Sequence, residues 1–217
     1  NTVCDALISI SKNFEIEQGF LDKIDDDFQY LAQQAFQLHK FKKDLKNDPD
    51  SILIHDHIES DLNKITPILL KLGTLDEPEI PIETYIQYLK GRDLDLMPLV
   101  LELVDSTFST SNRRVTLPLI DPDTDAVKSG EELFPDMISK SEDMLIFWAE
   151  NYHKWKSAIS IKYLIQKEKI NILESINFKT TPKSIFKKNY FNETEKNYLN
   201  NNLLNNKLPL QESQNMY

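Results

Sequence analysis

Residues 20–46, FLDKIDDDFQYLAQQAFQLHKFKKDLK, contain the pattern that decides the fold. Apolar residues recur in this stretch at spacings of three and four: Phe20, Ile24, Phe28, Leu31, Ala35 and Leu38. This spacing matches the period of an α-helix, so the apolar side chains form one stripe along a single helical face. The stretch therefore predicts a long core-facing helix from about Glu15 to Lys46.

The same spacing recurs along most of the chain. It predicts a second long helix from Ser51 to Leu72 and two shorter helices between Pro81 and Phe108. From Glu131, or from after Pro135, toward Ile176 it predicts one helix that approaches 40 residues and carries aromatic side chains in its middle. The Ser-, Thr- and Pro-containing residues 109–130 instead predict a long loop with a short extended piece at residues 115–120.

Composition agrees with a folded helical protein. The 217 residues are 40% hydrophobic and 28% charged, which is typical of a globular chain rather than a disordered one. Four glycines are few for the tight turns of a β-sandwich. We therefore predict an all-α, multi-helix bundle that forms one domain over residues 1–217. Residues 1–176 would be the main bundle, and residues 177–217 a basic, Asn-rich and partly ordered segment.

The net charge of −10 is unevenly distributed along the chain. Residues 151–217 hold 11 Lys and 5 acidic residues, which leaves 14 basic and 30 acidic residues, a net charge of −16, for residues 1–150. Such a surface repels phosphate backbones. We therefore expect no direct nucleic-acid binding by the main body of the protein.

The cysteine content and the hydropathy of the chain indicate the kind of cellular compartment in which the protein is expected. Cys4 is the only cysteine, which excludes an internal disulfide and fits a reducing intracellular compartment. No apolar run approaches the roughly 18 residues of a transmembrane helix, so we expect no membrane insertion.

Sequence signatures of catalysis are lacking. No GxxxxGK[ST], GxGxxG, GxSxG or HExxH stretch occurs, and we predict that the protein is not an enzyme. His55-Asp56-His57 admits a metal-dependent hydrolase of the HD type as an alternative. However, positions i and i+2 of a helix point in widely different directions, so a solvated helix start is the preferred interpretation.

Two further groups of residues are candidate sites. Cys4 with His39 or His153 could bind zinc or form a nucleophile pair, although a buried cysteine acting as a small apolar residue is the simpler interpretation. Phe147 and Trp148 are adjacent and cannot both face the core. At least one aromatic side chain of the group Phe147, Trp148, Tyr152, Trp155 and Tyr163 should therefore lie off the main stripe, where a partner helix could cover it.

The helix pair at residues 85–104 and the aromatic stretch MLIFWAENYHKW at residues 144–155 resemble the TRF-homology helical domain of telomere proteins. In overall order the chain is most similar to the shelterin bridging subunits. The resemblance implies a nuclear, non-enzymatic adaptor that forms a homodimer and docks short helical peptides of two neighbours. One neighbour would be a Rap-type protein on duplex telomeric DNA, and the other a TPP-type protein on the single-strand side.

On this hypothesis the candidate partner-binding residues are Phe147, Trp148, Tyr152, Trp155, Leu101 and Val104. No cofactor is expected, unless a zinc ion is shared with the partner peptide, for which Cys4 or His39 would supply a ligand.

A shorter likeness supports an alternative. Residues 80–83 and 88–93 resemble the tenth subunit of the Mediator complex. The protein would then be a helical scaffold subunit of another nuclear assembly, of the Mediator or kinetochore kind, and its co-purifying partners would distinguish the two hypotheses.

Overall fold

The computed structural model of the protein describes residues 2–11, 18–75, 77, 79–91, 95–138, 140–151, 154–177 and 190–199. These residues form eleven α-helices and one short 3-10 helix at Pro49–Ser51, and they contain no strand, which confirms the all-α class. The α-helices are α1 Thr2–Ser11, α2 Gln18–Asp44, α3 Ile52–Gly73, α4 Ile82–Gly91, α5 Met97–Thr107, α6 Thr110–Ile120, α7 Ala126–Leu133, α8 Ser141–Asn151, α9 Lys154–Gln166, α10 Ile170–Ser175 and α11 Glu193–Leu199.

The chain divides into two compact units. Unit 1 comprises Asn1–Lys43 and Ile58–Ser139, and unit 2 comprises Asp44–His57 and Lys140–Tyr217. Most of α2 and the longer part of α3 therefore belong to unit 1, together with α1 and α4 to α7. The first turns of α3 belong to unit 2, together with α8 to α11.

The core of unit 1 is organised around α2. Phe28 packs edge-on against Phe108, with ring centroids 6.3 Å apart, and Phe36 lies 5.8 Å from Phe134. The predicted apolar stripe of α2 is buried only in part. Phe28, Ala35 and Leu38 are in the core, whereas Phe20, near the start of the helix, is 44% exposed. The beginning of α2 therefore presents apolar side chains to the surface.

Glycines permit two of the closest contacts in unit 1. A Cβ on Gly130 would lie 2.7 Å from Cβ of Phe36, and one on Gly73 would lie 2.2 Å from the ring of Phe108. Helix α3 ends at Gly73, one residue beyond the predicted Leu72, and Gly73 does not adopt a positive φ. Glycine is needed at position 73 because the Phe108 ring occupies the space that a side chain would fill.

The predicted loop at residues 109–130 is wrong, because most of it is helical. Ser109 begins α6 by accepting a hydrogen bond from the backbone N–H of Asn112, and Asp125 begins α7 by accepting from Val127 and Lys128. Pro118 is accommodated inside the last turns of α6. The Ser and Asp residues that predict a loop by composition act here as N-caps, which supply acceptors to the unpaired N–H groups of the first turn.

The predicted long helix over residues 131–176 is also wrong. It is replaced by the C-terminal end of α7 and by α8, α9 and α10, and α8 packs against α9. The Ser157 hydroxyl donates a 2.6 Å hydrogen bond to the carbonyl oxygen of Ala149. Residues eight positions apart in one continuous helix are separated by about 12 Å, so this bond requires two helices.

In unit 2 a polar cluster joins α9 to the turn before α3. Tyr163 donates a 2.6 Å hydrogen bond to Asp48, and Lys167 forms ion pairs of 2.7 Å with Asp48 and Asp50. Burial and the bond to Asp48 raise the pKa of Tyr163, while the contacts with Lys167 and Tyr163 lower the pKa of Asp48. The cluster thus holds the phenol protonated and the carboxylate charged at neutral pH.

Helix α9 ends at a residue in the left-handed conformation. Glu168 has a φ of 53°, its N–H donates to the carbonyl oxygen of Ile165, and the N–H of Lys169 donates to that of Leu164. This pair of bonds is the Schellman arrangement, in which the left-handed position is usually glycine. Glutamate at this position is therefore strained.

We expect Glu168→Gly to raise the free energy of unfolding by about 0.5–1 kcal/mol. The left-handed backbone costs a residue with a Cβ about 1–2 kcal/mol, and the greater chain entropy of unfolded glycine offsets part of this gain. As a control, Glu102→Gly on the exposed face of α5 should lower the free energy of unfolding by about 0.5–1 kcal/mol. Urea denaturation measures both changes, and destabilisation by Glu168→Gly would contradict the assignment.

Candidate functional site

Unit 1 contains an apolar groove between α1, α2 and α3, which we call the α1–α3 groove. Its volume is about 490 Å³, within the range of roughly 300–1,000 Å³ that is usual for binding sites. The residues that line it are Val3, Cys4 and Leu7 of α1, Phe20, Lys23, Ile24, Asp27, Tyr30 and Leu31 of α2, and Ile68 and Leu72 of α3.

Several large side chains of this groove are open to solvent. Val3 is 72% exposed, Tyr30 is 57% exposed and Phe20 is 44% exposed. Single exposed apolar residues are common on protein surfaces, but a group of them around one concave site is typical of an interaction surface. The groove is the candidate functional site of unit 1.

Helix α1, one wall of the groove, is tied to the rest of unit 1 by a buried lysine. Lys71 is 3% exposed as a residue, and its ammonium group forms ion pairs with Asp5 of α1 and Glu83 of α4. Burial alone would lower the pKa of Lys71, but the hydrogen bonds to Asp5 and Glu83 outweigh burial and raise the pKa. The ammonium therefore remains charged and holds α1 against α3.

A second cavity in unit 1, of about 310 Å³, is more polar. His39 and Lys42 of α2, Glu59 and Asn63 of α3, and Lys90 of α4 contribute to its lining. Lys42 forms an ion pair with Glu59 beside the imidazole. Burial and the nearby Lys42 charge lower the pKa of His39, so its imidazole is neutral at pH 7.

This lowered pKa predicts an acid-sensitive step in stability. Because the folded state disfavours protonated His39, the unfolded chain binds more protons as the pH falls below the ordinary histidine pKa of 6.5. We expect the free energy of unfolding to decrease between pH 7 and pH 5, and less so in His39→Gln. Urea denaturation at a series of pH values compares the two proteins, and parallel pH profiles would show that His39 contributes nothing.

The predicted zinc ligands Cys4 and His39 lie in different cavities, and the alternative ligand His153 lies outside the described residues. Cys4 lines the α1–α3 groove, where burial raises the pKa of its thiol, and His39 lines the second cavity. Within the described part of the chain, no group of three or more His, Cys, Asp and Glu side chains is placed to hold a metal ion. A ring nitrogen of His55, proposed for the hydrolase alternative, lies 3.1 Å from the carbonyl oxygen of Leu45.

The predicted partner-binding residues differ in exposure. Phe147 is 36% exposed and Trp155 is 45% exposed, whereas Trp148 and Val104 are buried and Leu101 is half-buried. Trp148 packs edge-on against His57 at 5.9 Å between ring centroids, with the ammonium of Lys156 over its ring. The Trp155 ring lies 5.5 Å from that of Tyr190. Tyr152 lies outside the described residues.

The sequence pattern did not lead to the groove. Its α1 wall contains no long apolar stripe, and three of the α2 residues that line it, Phe20, Ile24 and Leu31, belong to a stripe predicted to be core. One feature of the sequence could have indicated the groove: no predicted helix was left to cover the first turns of α2.

Comparison with known proteins yields no relative. No protein-family model matches the chain, and neither a curated protein nor a solved structure is significantly similar to it. None of the described helices has both the length and the apolar character needed to cross a bilayer.

Proposed function

We propose that the protein is a non-enzymatic adaptor that holds helical segments of partner proteins. The observation that supports this function best is the α1–α3 groove, whose apolar floor and exposed rim suit an amphipathic helix. Its α2 wall runs from Phe20 to Leu31, about 16 Å at 1.5 Å per residue, or three helical turns. A peptide helix of similar length would make contacts along the whole groove.

Unit 2 offers a second surface of the same kind. Trp155 is 45% exposed and its ring is supported by Tyr190, which gives an aromatic anchor of the type that dominates binding energy in protein interfaces. An adaptor with one contact surface on each unit can join two partners. The resemblance to shelterin bridging subunits suggests telomere proteins as those partners.

Affinity purification of the full-length chain from its native cells, followed by mass spectrometry, tests the proposal. We expect the wild type to retain two sets of proteins, Tyr30→Glu to lose one set, and Trp155→Glu to lose the other. Both side chains are about half exposed, so the substitutions should spare the fold.

The identity of the partners separates the two adaptor hypotheses. Telomere proteins among the partners would support the bridging function. Subunits of Mediator or of a kinetochore would instead support a scaffold role in that assembly. Retention of every partner by both variants would contradict the adaptor proposal itself.

A further inference from the structure

The second cavity of unit 1, to which His39 contributes, is lined by residues of five helices. Its polar side chains come from α2, α3 and α4, whereas α5 and α6 contribute only apolar ones. The volume of about 310 Å³ lies at the lower end of the range of roughly 300–1,000 Å³ that is usual for small-molecule sites. All of the lining residues belong to unit 1, so the walls of the cavity are positioned by packing within one compact unit.

The charged side chains that line the second cavity do not balance one another. They are Lys42, Lys90 and Glu59, and Glu59 is already in an ion pair with Lys42. Lys90 is exposed and forms no ion pair with any of the described residues. The lining therefore carries one uncompensated positive charge, which is complementary to an anionic ligand.

The imidazole of His39 provides a second polar group for such a ligand. No described residue forms a hydrogen bond with either of its ring nitrogens. The charged groups around the cavity are Lys42 on α2, Glu59 on α3 and Lys90 on α4, and α5 and α6 add none. Burial and the Lys42 charge lower the pKa of His39, and a negative charge beside the ring would act in the opposite direction. Binding of an anion would therefore raise the pKa of His39.

The remaining lining residues require that the ligand also has an apolar part. These apolar residues belong to α3, α4, α5 and α6, and they are Leu62, Pro67, Leu89, Met97, Leu119 and Ile120. A simple inorganic anion would leave this surface in contact with water, whereas an apolar body attached to the anionic group would cover it.

We propose that the second cavity binds a small organic anion, a molecule with one carboxylate or phosphate group and an apolar body. The anionic group would lie beside Lys90 and His39, and the apolar body against Met97 and Ile120. This site is separate from the α1–α3 groove, and the inference does not depend on the proposed adaptor function.

Nuclear magnetic resonance of the His39 ring in the full chain tests this proposal. The ring signal, identified by its absence from His39→Gln, is followed with phenylacetate, with its neutral analogue phenylacetamide and with phenyl phosphate. We expect at least one of the two anions to shift the signal saturably, with a dissociation constant of about 1 mM or less, and to raise the pKa of His39 by about 0.5 or more. Phenylacetamide should bind at least about fivefold more weakly than the anion and leave the pKa unchanged.

The tighter of the two anions identifies the anionic group of the ligand as a carboxylate or a phosphate. If neither anion shifts the His39 signal saturably, or if phenylacetamide binds as tightly as the anions, the proposal is overturned.

Two lysine variants test the contribution of the charge at Lys90. Lys90→Gln keeps a long polar side chain, so it should weaken binding of the anion about two- to fivefold and leave the amide unaffected. As a matched control, Lys128→Gln removes the same charge from an exposed position of α7 that does not line the cavity, and it should change neither affinity. Equal weakening by both variants, or no weakening by Lys90→Gln, would contradict the placement of the anionic group beside Lys90.

Discussion

Replacing Trp148 with alanine is expected to lower the free energy of unfolding by about 3–5 kcal/mol, because its side chain is 1% exposed and fills the core of unit 2. The indole contacts the His57 ring and lies under the Lys156 ammonium, so the substitution removes both contacts and leaves a cavity in the core of unit 2. Urea denaturation followed by tryptophan fluorescence measures the change.

Trp155 provides the matched control for this substitution. It is the only other tryptophan and also belongs to unit 2, so fluorescence from the remaining indole reports on the same unit in either variant. Because Trp155 is 45% exposed, Trp155→Ala should cost about 1 kcal/mol or less. Equal losses in the two variants would contradict the burial of Trp148.

Removing both partners of Lys71 is expected to lower the free energy of unfolding by about 3 kcal/mol. Asp5→Ala with Glu83→Ala leaves an ammonium group in a site where its side chain is only 4% exposed and has lost both carboxylates. The folded protein must then bury an uncompensated charge or release the lysine from its site. Circular dichroism during urea denaturation at neutral pH, far below the ordinary lysine pKa of 10.5, measures the loss.

Lys71→Met serves as the control, because it removes the same ion pairs by replacing the lysine and leaves both carboxylates in place. Methionine fills a similar volume, and the carboxylates of Asp5 and Glu83, 51% and 63% exposed, remain hydrated. We expect a loss of about 1 kcal/mol or less. If Lys71→Met were as destabilising as the double variant, the ion pairs themselves would be the source of stability, rather than the cost of an unpaired buried charge.

These two sites show how far the sequence could predict the candidate functional regions. Adjacency of Phe147 and Trp148 indicated that they face different ways, and the structure buries Trp148 and leaves Phe147 36% exposed. Which of the two would be buried depends on the packing of α8 against α9, which the sequence pattern did not predict. The ion pairs of Lys71 with Asp5 and Glu83 were equally unpredictable, because they join side chains of three different helices.

The α1–α3 groove was missed for a related reason. Phe20, Ile24 and Leu31 share the helical stripe of Phe28 and Ala35, and the stripe alone cannot show that one end of it lacks a covering helix. The helices of residues 109–130 were not predicted, because Ser and Asp are common both in loops and at helix N-caps. Composition alone therefore could not show that Ser109 and Asp125 begin helices.

The sequence by itself determined the helical class and, to within one residue at each end, the bounds of α3, because apolar periodicity acts within a few turns of one helix. Only the tertiary structure decided where the helical pattern after residue 131 is interrupted, which aromatic side chains are buried, and that the start of α2 forms an open groove. Each of these depends on which other helix covers a given face, and that is set by contacts between residues distant in the chain.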